Sequence, residues 1–353
     1  MKSLKPRVGV IGFGYWGPNL VRNLIHNGEC DLVGIADPNE SALKKFSKLY
    51  PHLSTYTSAE ELLEKTKPNA MVIATPPATH KDLALLCIDS KTHLLIEKPL
   101  AQSVDECDEI LTAASKQDCL VMVDHTFVYN PAVRFLAEQI HCGNLGELLY
   151  YDSVRVNLGG FQPKTNALWD LAPHDLSIID YFTEGKMPAQ VSAVGRKHFD
   201  NDIDNLCYLN LIYPNNFIAH LHLNWISPIK IRTVLVGGSQ KMAVYDENMP
   251  TEKIKLYDRG LSLVKEKPAP GDFRVSYRMG DMTAPTISGS EALEGVIKNF
   301  IKMTKEEILP ITDGDAGKRV VQILEAATKS MDENGSPVTI SNLYNNTWLK
   351  KVA

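Results

Sequence analysis

The chain has no apolar run approaching the length of a membrane span, no C-x-x-C pair, no internal repeat and no low-complexity tract. A spanning helix needs about 20 apolar residues in succession, so a helical membrane protein is excluded. The six cysteines, Cys30, Cys87, Cys107, Cys119, Cys142 and Cys207, are scattered, and no Cys/His cluster has zinc-ligand spacing. Reduced, mostly buried thiols in a cytoplasmic protein without a metal site are expected. The opening MKSLKPRVGVIG is basic but lacks a signal-peptide cleavage pattern. Excess positive charge is lacking too. Lys and Arg number 37 against 42 Asp and Glu, for a net charge of −5. Neither nucleic acid nor a membrane is therefore the expected partner. What remains is an ordinary globular composition in 353 residues, enough for two domains with separate cores.

The first positive signal is Arg7 to Gly17, RVGVIGFGYWG. An apolar run, Val8–Ile11, reads as a buried strand, and Pro18–Ile25 reads as a helix. Between them Gly12, Gly14 and Gly17 stand in the spacing G-x-G-x-x-G, with Phe13, Tyr15 and Trp16 interleaved. The first glycine permits a tight turn and the second admits a pyrophosphate. The third lets the helix pack close, with its N–H groups and dipole facing the phosphates. A second apolar run, Leu32–Ala36, ends in Asp37, which can accept hydrogen bonds from both adenosine ribose hydroxyls. Its charge repels a 2′-phosphate, so NAD is expected rather than NADP.

Three further apolar runs follow at Ala70–Ala74, His93–Ile96 and Leu120–Val123. Helical patterns at Glu40–Leu49, Ala59–Glu64, Thr79–Ser90 and Val104–Gln117 separate the runs. This predicts an α/β fold: a Rossmann unit over 1–125, its parallel sheet doubly wound. Beyond it, 126–353 is expected to form an α/β domain for substrate binding and oligomerisation, with a large, open, mostly antiparallel sheet. Its expected strands are Leu148–Asn157, Val191–Phe199, Asp204–Tyr213, Phe217–Trp225 and Ile231–Val236. Helices are expected near Pro131–Cys142 and at Ser290–Lys305 and Ala316–Met331, and a loop at Pro268–Pro285.

Three places carry candidate chemistry. Thr75, Pro76 and Pro77 turn the chain at a strand's carboxyl end. Glu97, Lys98 and Pro99 put an acid and a cation at the end of a central strand. The ammonium of Lys98 suits stabilisation of a developing alkoxide, and the peptide before Pro99 is a candidate for the cis form. Asp170 reads as a helix cap four residues before His174, with Pro173 restricted to a first helical turn. A carboxylate that orients a neutral imidazole makes a general base. His125 follows the last Rossmann strand and is placed to line the crevice. The plain structural alternatives are a stiff loop, a surface Lys98–Glu97 pair and a cap with a satisfied histidine.

Taken together, GFGYWG with Asp37, ATPPATH (Ala74–His80), EKPL (Glu97–Leu100), YNPAV (Tyr129–Val133) and D-x-x-x-H at Asp170 and His174 resemble the Gfo/Idh/MocA (glucose–fructose oxidoreductase / inositol dehydrogenase) family. The resemblance covers nearly the whole chain. It implies Lys98, Asp170 and His174 as the catalytic set and adds His80 to the cofactor residues and Tyr129 to the substrate candidates. It also implies dimer or tetramer contacts through the second sheet. The stretch Arg155–Gln162, with WDLAPHD after it, is similar to nucleotide-sugar members. Arg155, Asn157, Gln162, Asn166 and Trp169 are therefore candidates for contacts to a sugar nucleotide.

The expected activity is hydride transfer between a secondary alcohol or ketone of a sugar and nicotinamide. The alternatives are an NAD-dependent elimination or hydration of a glycosidic group, a free polyol, inositol or aldose dehydrogenase, and a sensor that binds NAD without turnover.

Overall fold

The computed structural model describes residues 5–159, 165–199, 202–263 and 275–340. The chain divides into two compact units, one up to Asn130 together with Ser290–Glu325, the other Pro131–Gly289 together with the chain from Ala326. The division expected at 125/126 differs from this in the return of Ser290–Glu325 to the first unit. That return rests on long-range bonds, which no local pattern encodes. Val123 N donates to the Thr312 carbonyl at 2.8 Å, Thr312 Oγ1 to the Val123 carbonyl at 2.7 Å and Tyr129 Oη to Asn299 Oδ1 at 2.7 Å.

In the first unit, β1 (Arg7–Ile11), β2 (Asp31–Ala36), β3 (Thr55–Tyr56), β4 (Ala70–Ile73), β5 (His93–Glu97) and β6 (Val121–Asp124) form one sheet. Its order is β3-β2-β1-β4-β5-β6, and every neighbouring pair is parallel. Helices α1 (Gly17–Asn27), α2 (Glu40–Leu49), α3 (Ala59–Thr66), α4 (His80–Asp89) and α5 (Val104–Lys116) alternate with the strands. Val8, Val10, Val72, Ile73, Leu94, Leu95 and Ile96 are fully buried. Such continuous burial comes from helices on both faces and explains why these strands read as unbroken apolar runs. The order reverses beside β1, so the carboxyl ends of β1 and β4 diverge into a crevice. Every strand being parallel, Gly12, Asp37, Thr75, Lys98 and His125 all follow strand ends at that one edge.

In the second unit, β7 (Leu148–Leu158), β8 (Gln190–Arg196), β9 (Leu206–Ile212), β10 (Ile218–Asn224), β11 (Ile226–Gly238), β12 (Met242–Asp246), β13 (Ile254–Tyr257), β16 (Met282–Thr283) and β17 (Val338–Thr339) make a nine-stranded sheet. Only β7 and β10 pair in parallel among its described neighbours. Along β10, Ala219, Leu221 and Leu223 are fully buried, whereas Ile218, His220, His222 and Asn224 face outward. This is the period-two pattern of a sheet with one covered face. Helices α6 (Pro131–His141) and α7 (Ala167–Phe182) belong here, and α7 packs on β7, β9 and β10. The helices expected near the end form as α8 (Ala292–Glu306) and α9 (Gly314–Asp332).

The loop expected at Pro268–Pro285 needs correction. Within it, β15 (Val275–Arg278) pairs with β14 (Gly260–Leu263), and Met282–Thr283 joins the main sheet. Proline and glycine mark turns between such short strands as readily as a loop.

Candidate functional site

In the first unit the glycine turn has the geometry its spacing implies. Gly12 has φ of 96°, and an added Cβ would overlap the Ala74 carbonyl. A Cβ at Gly17 would overlap the Gly12 carbonyl. Gly14 is different: it is exposed, and an added Cβ would meet nothing within 4 Å. Internal packing therefore demands the first and third glycines, and the second keeps open ground over the turn. No side chain caps α1 among the described residues, which leaves backbone N–H groups at its start for an anion. Asp37 stands across the turn, with Oδ2 accepting from Phe13 N at 2.7 Å and Oδ1 from Asn39 N at 2.8 Å. These residues fit a dinucleotide, whose pyrophosphate and adenosine ribose such a turn and acid would hold.

The interleaved aromatics separate. Phe13 is 3% exposed and packs edge-on to Phe46, so only its backbone serves the turn. Tyr15 is 95% exposed. Trp16 points its indole N–H at Asp124 Oδ2, at 3.2 Å.

Two loops of the crevice edge are tied through His80, which is fully buried. Its Nδ1 lies 3.0 Å from the Pro99 carbonyl and its Nε2 lies 2.9 Å from the Thr75 carbonyl. Burial holds its pKa below the ordinary histidine value, with both carbonyls working in the opposite direction. The neutral ring packs behind both loops and has one N–H to donate to one of these two carbonyls. Pro76 and Pro77 lead into the single turn Pro77–Thr79, and Thr79 Oγ1 donates to Thr75 Oγ1 at 2.8 Å. The Lys98–Pro99 peptide is cis. Lys98 N donates to Glu97 Oε2 at 3.2 Å, and Lys98 is half-buried at the end of β5.

His125 is 2% exposed, and neither ring nitrogen has a hydrogen-bond partner among the described residues. Burial, then Lys98 and Arg319, push its pKa down to about 3, so it stays a neutral imidazole beside the lysine. Tyr129, by contrast, is turned into the unit. Its hydroxyl bonds Asn299 and also lies 3.2 Å from Thr312 Oγ1, so a substrate role for it is withdrawn. Asp124 was not foreseen as a site residue. The available signal was an acid closing an apolar run, as at Asp37.

In the second unit, α7 begins four residues earlier than a cap at Asp170 implies. Asn166 is the cap, and its Oδ1 accepts from Trp169 N at 3.0 Å. Asp170 therefore lies within the first full turn and Pro173 within the helix, a correction to both readings. Pro173 costs the Trp169 carbonyl its helical donor. From Ala167 to Ile179, α7 is buried at every position except Trp169, Asp170 and His174. Trp169 and Asp170 are adjacent, and His174 lies one turn beyond Asp170 on the same face. Asp170 Oδ2 accepts from Trp225 Nε1 at 3.2 Å, and Trp169 Nε1 donates to Thr328 Oγ1 at 3.0 Å. Within this stretch the helix thus leaves a fixed acid and an imidazole accessible on one face.

Arg155 does not serve as expected. It is 4% exposed, with Nε 2.7 Å from Asp175 Oδ2 and Nη1 3.7 Å from Glu247. Asp175, fully buried, also accepts from Tyr151 Oη and Ser153 Oγ, each at 2.9 Å. The guanidinium is committed inside the unit because a buried carboxylate requires its charge. The Asn166 Oδ1 is likewise spent on its cap. Asn157 keeps a buried Oδ1 that has no hydrogen-bond partner among the described residues. Gln162 lies outside the described residues. Among the described residues, no group of three His, Cys, Asp or Glu is placed to hold a metal ion.

Comparison with known proteins agrees with both units. The model of an oxidoreductase family with an NAD-binding Rossmann fold matches residues 6–125. That of the GFO/IDH/MocA C-terminal domain matches residues 133–244. The chain is 25% identical to UDP-N-acetylglucosamine 3-dehydrogenase of Acidithiobacillus ferrooxidans, over 89% of this chain and 94% of that protein. It is 23% identical to 2,7-anhydro-N-acetylneuraminate hydratase of Mediterraneibacter gnavus, over 92% of this chain and 94% of that one. GenD2 from gentamicin A biosynthesis, solved in complex with NAD, shares the fold with a TM-score of 0.79 at 19% identity, over 96% of this chain and 97% of GenD2. With its turn, its acid and its second sheet in place, the chain belongs to the Gfo/Idh/MocA family of NAD-binding oxidoreductases.

Proposed function

We propose that this chain oxidises a secondary alcohol of a sugar, or reduces the matching ketone, and that the sugar is carried on a nucleotide. The observation that carries this reading is on α7, where Asp170 and His174, with Trp169, are half-buried within the otherwise buried stretch Ala167–Ile179. A structural helix gains nothing from leaving an acid–imidazole pair accessible in so buried a stretch. The likeness to a UDP-N-acetylglucosamine 3-dehydrogenase supports the nucleotide sugar.

NAD, when bound, supplies the two-electron acceptor or donor for the sugar carbon. The glycine turn and the start of α1 hold its pyrophosphate, and Asp37 holds its adenosine ribose. His174 removes the proton from the sugar hydroxyl. The Lys98 ammonium stabilises the oxygen's developing charge, and Asp170, fixed by Trp225, orients the base. In the reductive direction the same groups return the proton. Asn157 offers its unpartnered carbonyl oxygen to a substrate hydroxyl.

One further reading has a specific observation behind it, the likeness to a hydratase along 92% of this chain. In that reading transient oxidation at one ring carbon acidifies its neighbour and permits elimination or hydration. A second copy of the chain is the proposed cover for the open sheet face, where Tyr208, Ile212, Ile218 and Ile231 are exposed.

The test is a panel of UDP-sugars, dTDP-sugars and free sugars with NAD, followed by thermal shift and at the NADH absorbance band. A nucleotide sugar is expected to raise the melting temperature by mass action and to generate absorbance. Turnover with no net NADH selects the hydratase-type reading. Binding with neither turnover nor absorbance change across the panel contradicts both.

A further inference from the structure

The ends of β5 and β6 place two acids side by side. Glu97 and Asp124 are partners in the parallel register, so their side chains leave the same face of the sheet. Asp124 is 2% exposed, and both its oxygens are fixed. Oδ1 accepts the Thr126 hydroxyl at 2.7 Å, and Oδ2 accepts the Trp16 indole N–H at 3.2 Å. Glu97 is placed differently. Its Oε2 accepts the Lys98 backbone N–H, whereas its Oε1 is buried with no hydrogen-bond partner among the described residues. Two adjoining buried carboxylates repel, and a buried acceptor without a donor is costly. One proton on Oε1 resolves both problems, because it turns Glu97 into a donor toward Asp124.

We propose that Glu97 and Asp124 share a single proton held on Glu97, and that this pair positions Lys98 and links its strand to the glycine-rich turn through Trp16. Burial and the neighbouring Asp124 push Glu97 well above the usual carboxyl range, with Lys98 acting in the opposite direction. The adjoining His125 stays neutral, through burial first and then through the charges of Lys98 and Arg319. The pair then carries one negative charge beside Lys98. Trp16 stands between Gly14 and Gly17, so the turn that holds the pyrophosphate also supplies a donor to Asp124. The consequence for catalysis rests on the proposed role of Lys98, but the proton itself does not.

The test uses cofactor-free protein and no sugar. A folded chain that keeps a proton on Glu97 binds more protons than the unfolded chain above the ordinary glutamate pKa of 4.5. Stability then falls as pH rises, by up to about tenfold in the folding constant per pH unit, until Glu97 ionises. Glu97→Gln keeps an N–H donor toward Asp124 and cannot titrate. In chemical denaturation from about pH 5 to 9 the variant is expected to gain steadily on wild type. Parallel curves mean that Glu97 is ionised in the folded protein and overturn the proposal. Should the variant not fold, isotope-edited infrared spectroscopy of wild type with carboxyl-labelled glutamate decides. A protonated carboxyl band at neutral pH is expected, and carboxylate bands alone overturn it. In Trp16→Phe that band should persist to higher pH, because the doubly charged pair has lost a donor. A band with unmoved titration refutes the link to the turn.

Discussion

The three glycines of the turn do different work. Gly12 combines positive φ with a Cβ position already taken by the Ala74 carbonyl. Gly12→Ala is therefore expected to lose about 1–3 kcal/mol of stability, measured by denaturant unfolding. At Gly14 neither constraint applies. Gly14→Ala should fold and melt as wild type but bind NAD about tenfold more weakly in calorimetry, which corresponds to ~1.4 kcal/mol. Wild-type affinity in that variant would remove the pyrophosphate from Gly14. His125 allows a test through pH. Its folded pKa, about 3, lies below the ordinary histidine value of 6.5, so the unfolded chain binds the extra proton between them. Stability is thus lost as pH falls through that window, by up to ~1.4 kcal/mol per unit. His125→Asn should flatten this slope in acid denaturation, and an unchanged slope would mean that the ring is protonated when folded. Glycines and Asp37 were legible in the sequence because spacing and order encode them. The commitments of Tyr129 and Arg155 were not, since their partners Asn299 and Asp175 meet them only through tertiary contacts.

At the level of elements, parallel strands announced themselves by continuous apolar runs, and β10 by its alternation. The start of α7 was misplaced by four residues because Pro173 was assigned to a first turn, whereas Asn166 holds the cap and the helix tolerates the proline inside. Short strands such as β3, β16 and β17 have two residues each and owe their place to neighbours rather than to pattern. The tie between β7 and α7 is the buried Arg155–Asp175 pair, with side-chain exposures of 5% and 0%. Asp175→Ala leaves a buried cation, and Tyr151 and Ser153 without their acceptor. It is expected to cost about 3–5 kcal/mol in denaturant unfolding. A loss under about 1 kcal/mol would show that Arg155 reaches solvent instead.

For the molecule as a whole, the two sheets divide the labour. The parallel sheet gathers the cofactor turn and Lys98 at its carboxyl edge, and the mixed sheet carries α7 on its covered face. Its other face exposes apolar residues, for which a second copy is the proposed cover. Ile218→Glu puts a charge there and should shift sedimentation toward monomer, while melting of the subunit changes little. Unchanged sedimentation would move the contact elsewhere. The catalytic reading itself is open to direct measurement by single-turnover kinetics, at the NADH band, with the nucleotide sugar that the panel identifies. Lys98→Ala and His174→Ala should fold, bind NAD as wild type does, and transfer hydride about 10²–10⁴-fold more slowly. Variants that fold, bind NAD and still turn over at the wild-type rate would contradict the roles given to these two residues.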